Sequence, residues 1–312
     1  SIYMAKGFKN IVIKDNFYQS SCFFPMPLTL IGTMTENGST SYGAYSLIFP
    51  YYIAGKEHYC MVLECRNTSN TAKGLLRTGK CTINFIPGDK KHFQQAVNCG
   101  FPGDTPEEKM KKFALTPVDG LRQEENPSEA FPKILDEAIQ VFECSWWKEL
   151  DNAQDDVVLD DYENYKYHNF NGITSRYGAH FILKIDKILI KDKYEKSIVD
   201  GATKSNYPPL PTNWGYRDSN NFWVSKFRRP FFLEIPKRNI DIESLRYAAN
   251  RVNSDVKFTD DALMVLASAP RAFLKVIIKG CADWAKEKGY SVITEKEMNE
   301  MNQERKDKKK KK

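Results

Sequence analysis

The chain has 312 residues, of which 41% are hydrophobic and 13% aromatic, enough to bury a full core with room for one large domain and a small appendage. That apolar content excludes a disordered polymer, and only 17 Gly and 15 Pro exclude a collagenous or low-complexity one. The formal charge of +6 comes wholly from the stretch Arg305 to Lys312, where seven cations stand against Asp307, so the body carries no net basic excess for nucleic-acid phosphates.

In chain order, LTLIGTMT and TSYGAYSLIF read as two strands joined at ENGS, where Asn37-Gly38 is a strong hairpin signal. HYCMVLEC and KCTINFI are two more short runs rich in β-branched and aromatic residues. Between them, NTSNTAKGLLRTGK reads as a polar loop entering a short helix that closes at Gly79. Closely spaced strands with short connections point to a β-barrel or sandwich. PKILDEAIQVFECSWW has helical spacing at its start and turns strand-like, and AHFILKIDKILI alternates as a further barrel strand. From Glu149 to Glu163 the chain carries seven acidic residues and no basic one, an exposed insertion that either covers a site or is a solvated excursion.

From Phe258 onward the pattern is helical. Thr259 caps a run ending before Pro270, a longer helix spans about Ala272 to Lys288 and stops at Gly289, and Thr294 with Glu297 forms a capping box for a third. Leu263, Leu266, Phe273, Ile277 and Trp284 supply the apolar stripe, and a domain boundary is expected near Arg251 to Lys257. The basic tail reads as a disordered end, with polyanion binding as the alternative.

Seven scattered cysteines with no CxxC pair read as reduced thiols of a structural kind, and four distant histidines give no HExxH metal site. The longest uncharged runs are broken by Pro25, Pro27 and Pro50, so no bilayer helix is expected and the expected location is the cytoplasm. GxGxxG, P-loop and GxSxG signatures are absent. What remains is RNTSNTAK, Arg66 to Lys73. Its hydroxyls on Thr68, Ser69 and Thr71, amides on Asn67 and Asn70, the Lys73 cation and the N–H groups of a helix start make a cradle for one phosphate; plain helix capping is the alternative.

The order of these pieces resembles the flavin reductase-like family, the FMN-binding split barrels that include flavoredoxins. PMPLTLIGTMTENGS matches the proline-containing opening strand, and GAYSLIF the loop with a small residue, an aromatic and Ser. NTSNTAKGLLRTGKCTINF matches the Thr-rich loop, helix and TGxFxxN-like strand, EEKMKKFALTPV the EKF...LTP segment, and EAIQVFECSWW with GAHFILKIDKI the closing strands. The resemblance runs from Phe24 to Ile190 and more loosely to Pro236. Cys81 stands where an aromatic is usual, and the acidic insertion with NWGYRDSNNFWVSKFRRPFF enlarges the second half. The C-terminal FTDDALMVLASAPRAFLKVIIKGCADWAKEKGYSVITEKEM resembles the small domain ending a light-independent protochlorophyllide reductase subunit, here an appendage for docking or stability.

The resemblance implies a mainly β, FMN-binding split β-barrel (α+β) over 1–250, a small all-α domain over 251–304 and a disordered tail over 305–312. It implies a homodimeric oxidoreductase that passes hydride or electrons from NAD(P)H to flavin or another acceptor. A flavoredoxin-type electron carrier serving protein partners and a non-catalytic flavin-binding module are the alternatives. Because the flavin carries the redox chemistry, no protein acid or base is expected. Resemblance assigns the phosphate clamp to Asn67, Ser69, Thr71 and Lys73 and the ring edge to Ala44, Tyr45, Ser46, Leu47 and Phe49, with Asn84 beside them. For Tyr45 and Phe49 ordinary core packing is the alternative. His180 stands either near the nicotinamide side or as a structural histidine, and Arg217, with Tyr216, either at the open face or against the acidic insertion.

Overall fold

The structure, a computed structural model, describes residues 6–51, 59–100, 105–149, 171–203, 206–234, 241–253, 255–270 and 273–312. The acidic insertion lies outside the described residues from position 150 onward. Two compact units result, one reaching Phe232 and one holding Leu233–Lys312.

The first unit opens with α1 (Phe17–Ser20), β1 (Thr29–Met34), β2 (Thr40–Tyr45), β3 (Ile48–Tyr51) and β4 (Cys60–Arg66). It continues through α2 (Asn70–Thr78), β5 (Lys80–Phe85), α3 (Lys90–Cys99), α4 (Pro106–Lys111), β6 (Pro117–Val118), α5 (Leu121–Glu125) and β7 (Ile134–Leu135). It ends with β8 (Gln140–Trp146), β9 (Gly172–Ile173), β10 (Gly178–Ile190), α6 (Asp192–Val199), β11 (Thr212–Arg217) and β12 (Phe222–Ser225). Eight strands form one sheet in the order β2-β1-β5-β8-β10-β4-β3, with β9 pairing β10. All its pairings are antiparallel. The long β10 closes it: residues up to Lys184 pair with β4, residues from Leu183 on pair with β8, and a bulge at Asp186 adds local bend and twist. The result is a mainly β split barrel.

The expected hairpin stands. Gly38 takes φ +84°, and the Asn37 carboxamide oxygen accepts from the Ser39 N–H at 3.1 Å. β1 is buried along its whole length because both faces are covered. Ile31 points into one apolar cluster with Leu63, Leu75, Phe181 and Leu183, while Leu30 points into another with Tyr42, Phe93, Leu115 and Leu135. Helix α2 serves the first cluster and α3 the second.

The start of PKILDEAIQVFECSWW is not helical. Ile134 and Leu135 pair instead with Val118 and Pro117, and the Leu135 N–H donates to the Asn84 carboxamide at 2.9 Å. The apolar residues Leu135, Ala138 and Ile139 drop into the core from an extended segment, so tertiary burial overrides the local 3.6-residue spacing. The sequence also gave no sign of Arg122, on α5, which is buried beside the fully buried Glu143 of β8.

The second unit holds α7 (Ile242–Val252), β13 (Lys257–Phe258), α8 (Asp260–Leu266), α9 (Leu274–Lys288), β14 (Val292–Ile293) and α10 (Glu295–Lys310), with β13 and β14 parallel. Thr259 occupies the N-cap of α8, Gly289 ends α9 with φ +77°, and the Thr294 N–H donates to the Glu297 carboxylate at 2.8 Å as one half of a capping box. Leu263 and Leu266 enter the core and Ile277 and Trp284 pack against it, whereas Phe273 is 58% exposed.

Two expected limits change. Helix α7 contributes Leu245 and Ala249 to this core, so the helical unit begins before residue 251. Helix α10 carries the chain to Lys310, so the basic end is helical rather than disordered. A fragment ending after Glu234 keeps every residue of the two barrel clusters and should melt cooperatively with a β-type circular dichroism spectrum. One ending at Lys257 retains α7 without its partners and should be less soluble; equal solubility of the two fragments would speak against this assignment of α7.

Candidate functional site

Strand β2 ends at Tyr45 because Ser46 and Leu47 turn the chain towards β3. The turn is held at each residue. The Thr29 hydroxyl donates to the Tyr45 carbonyl at 2.7 Å, the Asn213 amide donates to the Ser46 hydroxyl at 2.6 Å, and the Glu64 N–H donates to the Leu47 carbonyl at 2.9 Å. Asn213 is itself fixed by a bridge to Met26, whose N–H and carbonyl bond to it at 2.8 and 2.9 Å.

A cavity of about 250 Å³ opens beside this turn. One wall is Leu28 with Ala44, Tyr45, Ser46 and Leu47, and the facing wall is the α3 stripe Phe93, Ala96 and Val97. Tyr18 and Gln19 from α1, and Asn213, Arg217, Phe222 and Val224 from the β11–β12 hairpin, complete it. The lining is mostly apolar. Its charged members are Glu64 and Arg217; Arg217 lies over the Phe222 ring, 5.5 Å from its centre.

Behind Tyr45 stands the start of α2. Ser69 is its N-cap and accepts from the Ala72 N–H at 3.0 Å, while the side chain of Thr71, 3% exposed, turns inward. Burial pushes the Tyr45 phenol up to about 12, against the pull of the nearby Ser69 and Thr71 side chains, so it stays a neutral phenol at working pH. Gly43 makes room for the ring, since a Cβ there would stand 2.8 Å from the Tyr45 Cε2 and 3.0 Å from the Thr71 Oγ1.

The expected residues are therefore brought together only in part. Ala44, Tyr45, Ser46, Leu47 and Arg217 line the cavity, while Thr71, beside Gly43, and Ser69, the N-cap of α2, stand outside its lining. Lys73 is exposed on the first turn of α2. Asn67 is spent elsewhere: its amide donates to the Ser175 and Arg176 carbonyls at 3.3 and 2.9 Å, tying the loop to the β9–β10 hairpin. Asn84 is fully buried, donating to the Leu30 carbonyl at 3.0 Å and accepting from Leu135, which makes it a bolt between strands rather than a ring contact. Phe49 lies on β3 opposite Val62, outside the cavity lining. His180 faces Glu64 across β10 and β4 with Nε2 to Oε1 at 3.6 Å, so it meets the cavity through Glu64.

Sequence reasoning missed the α3 wall, although KHFQQAV carries apolar residues at i, i+3 and i+4. It also missed Tyr18 and Asn213, for which no local signal exists. Of the seven cysteines Cys22 is exposed and Cys65 half-buried. Cys60, Cys81, Cys99, Cys144 and Cys281 are buried, and burial pushes the Cys60, Cys65 and Cys99 thiols up to about 12, 11 and 11. Among the described residues no group of three or more His, Cys, Asp or Glu converges on a metal site, and no helix is long and apolar enough to cross a membrane.

No family model matches the sequence, and no curated protein matches it either. Among solved structures the chain is similar to the 2-nitrobenzoate 2-nitroreductase NbaA of Pseudomonas fluorescens, with 14% identity over 77% of this chain and 99% of that one and a TM-score of 0.49. It is similar to a flavoredoxin from Methanosarcina acetivorans, with 14% identity over 73% of this chain and 97% of that one and a TM-score of 0.48. A third is the nitrilotriacetate monooxygenase component B of Bacillus cereus, with 13% identity over 75% of this chain and 100% of that one and a TM-score of 0.47. The C-terminal likeness to a protochlorophyllide reductase subunit finds no counterpart among these matches.

A flavin tests well against the cavity itself. The apolar walls suit a flat ring, Ser46 and Asn213 place polar groups in the lining, and the Ser69 and Thr71 hydroxyls stand at the nearby start of α2.

Proposed function

We propose that the chain is a flavin-dependent oxidoreductase that holds FMN in the cavity beside β2 and passes hydride or electrons from NAD(P)H to flavin or another acceptor. The observation that carries this reading is the β2 turn, where a mostly apolar cavity is lined by Ala44 to Leu47 and the Thr71 hydroxyl at the start of α2 stands close behind at Gly43. When bound, the flavin supplies the redox chemistry, so the protein needs no acid or base of its own. Leu28, Phe93 and Val97 keep water from the ring pocket, and Ser46 and Asn213 fix the edge on which a ring is oriented. Arg217 places a cation at the mouth and Glu64, paired with His180, a carboxylate.

A homodimer is part of the proposal, supported by exposed apolar side chains on the barrel unit such as Phe23, Phe231 and Phe232. The protein should purify yellow, release FMN rather than FAD on denaturation, and bleach under anaerobic NADH or NADPH. Bleaching by dithionite but by neither nicotinamide would point to an electron carrier. A colourless protein that binds no added FMN or riboflavin would end the flavin reading.

A further inference from the structure

We infer that Arg217 is the anion-recognising residue at the rim of the cavity, so that the molecule reacting there is flat and carries an oxyanion that seats on the guanidinium. The inference rests on the flavin reading for its reaction and adds to it the class of substrate.

Burial separates the floor of the cavity from its rim. Met26, Leu28, Phe93 and Ala96 are buried, whereas Arg217 and Phe222 of the β11–β12 hairpin are exposed. Arg217 lies over the Phe222 ring, 5.5 Å from its centre, a contact that holds the cation at the rim. Among the described residues no carboxylate pairs with it and no acceptor takes its N–H donors. The neighbouring Asp218 is occupied in the hairpin turn, where its carboxylate accepts from the Asn220 and Asn221 N–H groups, both at 2.8 Å.

The other charge in the lining is Glu64, opposite in sign, yet the two do not pair. Glu64 is engaged by His180 at 3.6 Å, while Arg217 stays on its ring. A guanidinium in this state keeps a planar fork of donors that fits two oxygens of one carboxylate, phosphate or sulfonate at once. The apolar walls beside it accept the flat body that carries the anion. A cationic molecule at the same rim meets Arg217 with no carboxylate to offset it, so the site selects against that class.

The test titrates 2-naphthoate and its neutral counterpart 2-naphthamide by calorimetry into flavin-free and FMN-loaded wild type, Arg217→Gln, Arg217→Lys and Glu64→Gln. The wild type should bind the naphthoate roughly tenfold more tightly than the amide, and Arg217→Gln should bring that ratio to about one. Arg217→Lys should keep part of it, because the charge remains and the fork does not, and Glu64→Gln should not lower it. Equal affinities for the two probes in the wild type, or a ratio that Arg217→Gln leaves unchanged, overturn the inference. So does a loss of FMN affinity without loss of riboflavin affinity in Arg217→Gln, which would hand the cation to the cofactor's own phosphate. Turnover separates the two sources of the oxyanion. A higher KM for NADH and NADPH with every acceptor assigns it to the nicotinamide nucleotide, a higher KM for carboxylated but not neutral quinones assigns it to the acceptor, and no change in either KM overturns the inference. If no protein binds flavin, the flavin reading fails by itself, and the naphthoate-to-naphthamide ratio of the flavin-free protein still decides whether Arg217 is an anion seat.

Discussion

Arg122→Met is expected to cost the barrel unit about 3–5 kcal/mol of stability, the penalty of leaving a buried charge without its partner. Arg122 is 4% exposed and Glu143 fully buried. The Arg122 Nε donates to Glu143 at 3.2 Å, its two terminal nitrogens donate to the Cys144, Cys81 and Asp186 oxygens at 2.9, 3.0 and 3.1 Å, and its N–H reaches the other Glu143 oxygen at 3.1 Å. One side chain thereby joins α5 to β5, β8 and the bulge in β10. Removing the guanidinium leaves the Glu143 charge with only the residue-122 N–H and takes a donor from three further acceptors. Removing both charges is a different matter. Glu143→Leu in the Arg122→Met background leaves only the partly exposed Asp186 carboxylate, still bonded by the Ser145 hydroxyl, without its cation and should recover most of the loss, because a buried pair is worth little more than apolar groups of similar volume. Urea unfolding followed by circular dichroism reads both. A single variant within about 1 kcal/mol of the wild type would show that water reaches Glu143, and a double variant as unstable as the single would assign the loss to packing rather than charge.

This network also shows where the sequence stops being readable. The β1–β2 hairpin, the Gly79 and Gly289 stops and the Thr294–Glu297 box follow from residues a few positions apart, and the structure keeps each of them, while Thr259 holds the N-cap position of α8 without a side-chain cap bond. Arg122 and Glu143 are paired only because α5 packs over the seam of β5 and β8, and an Arg followed 21 residues later by a Glu has no local meaning. The cavity is the same kind of object. Asn213 grips Ser46 across 167 positions, and Tyr18 enters from the short helix α1. Polar residue type alone also misleads. Asn67 and Asn84 have the donors a phosphate or ring edge would want, yet both spend them on main-chain carbonyls that only the folded chain brings near. Helix α7 escaped for the opposite reason: its apolar residues look like ordinary chain until α8 and α9 supply the surface they cover.

The second large effect is expected on FMN affinity at the start of α2, and the structure separates capping from ligand binding. Ser69 caps the helix through Ala72; Thr71 does not, and its buried side chain stands beside Gly43. Ser69→Ala should lower the melting temperature of the flavin-free protein by losing a cap worth about 1 kcal/mol, and weaken FMN by roughly ten- to a hundredfold, since a hydrogen bond to a charged group contributes about 1.5–3 kcal/mol. Thr71→Val keeps the shape and leaves the cap alone. It should leave the melting temperature of the flavin-free protein nearly unchanged and weaken FMN by roughly ten- to a hundredfold through the lost donor to a charged group. Lys73→Ala, altering an exposed cation, should weaken FMN at low salt and hardly at all at about 0.5 M, where charges more than a few ångströms apart are screened. Capping alone predicts another pattern: a lower melting temperature for Ser69→Ala, no change for Thr71→Val, and the same FMN affinity in every variant. Flavin titrations that do not move across Ser69→Ala and Thr71→Val would remove the phosphate from this helix start.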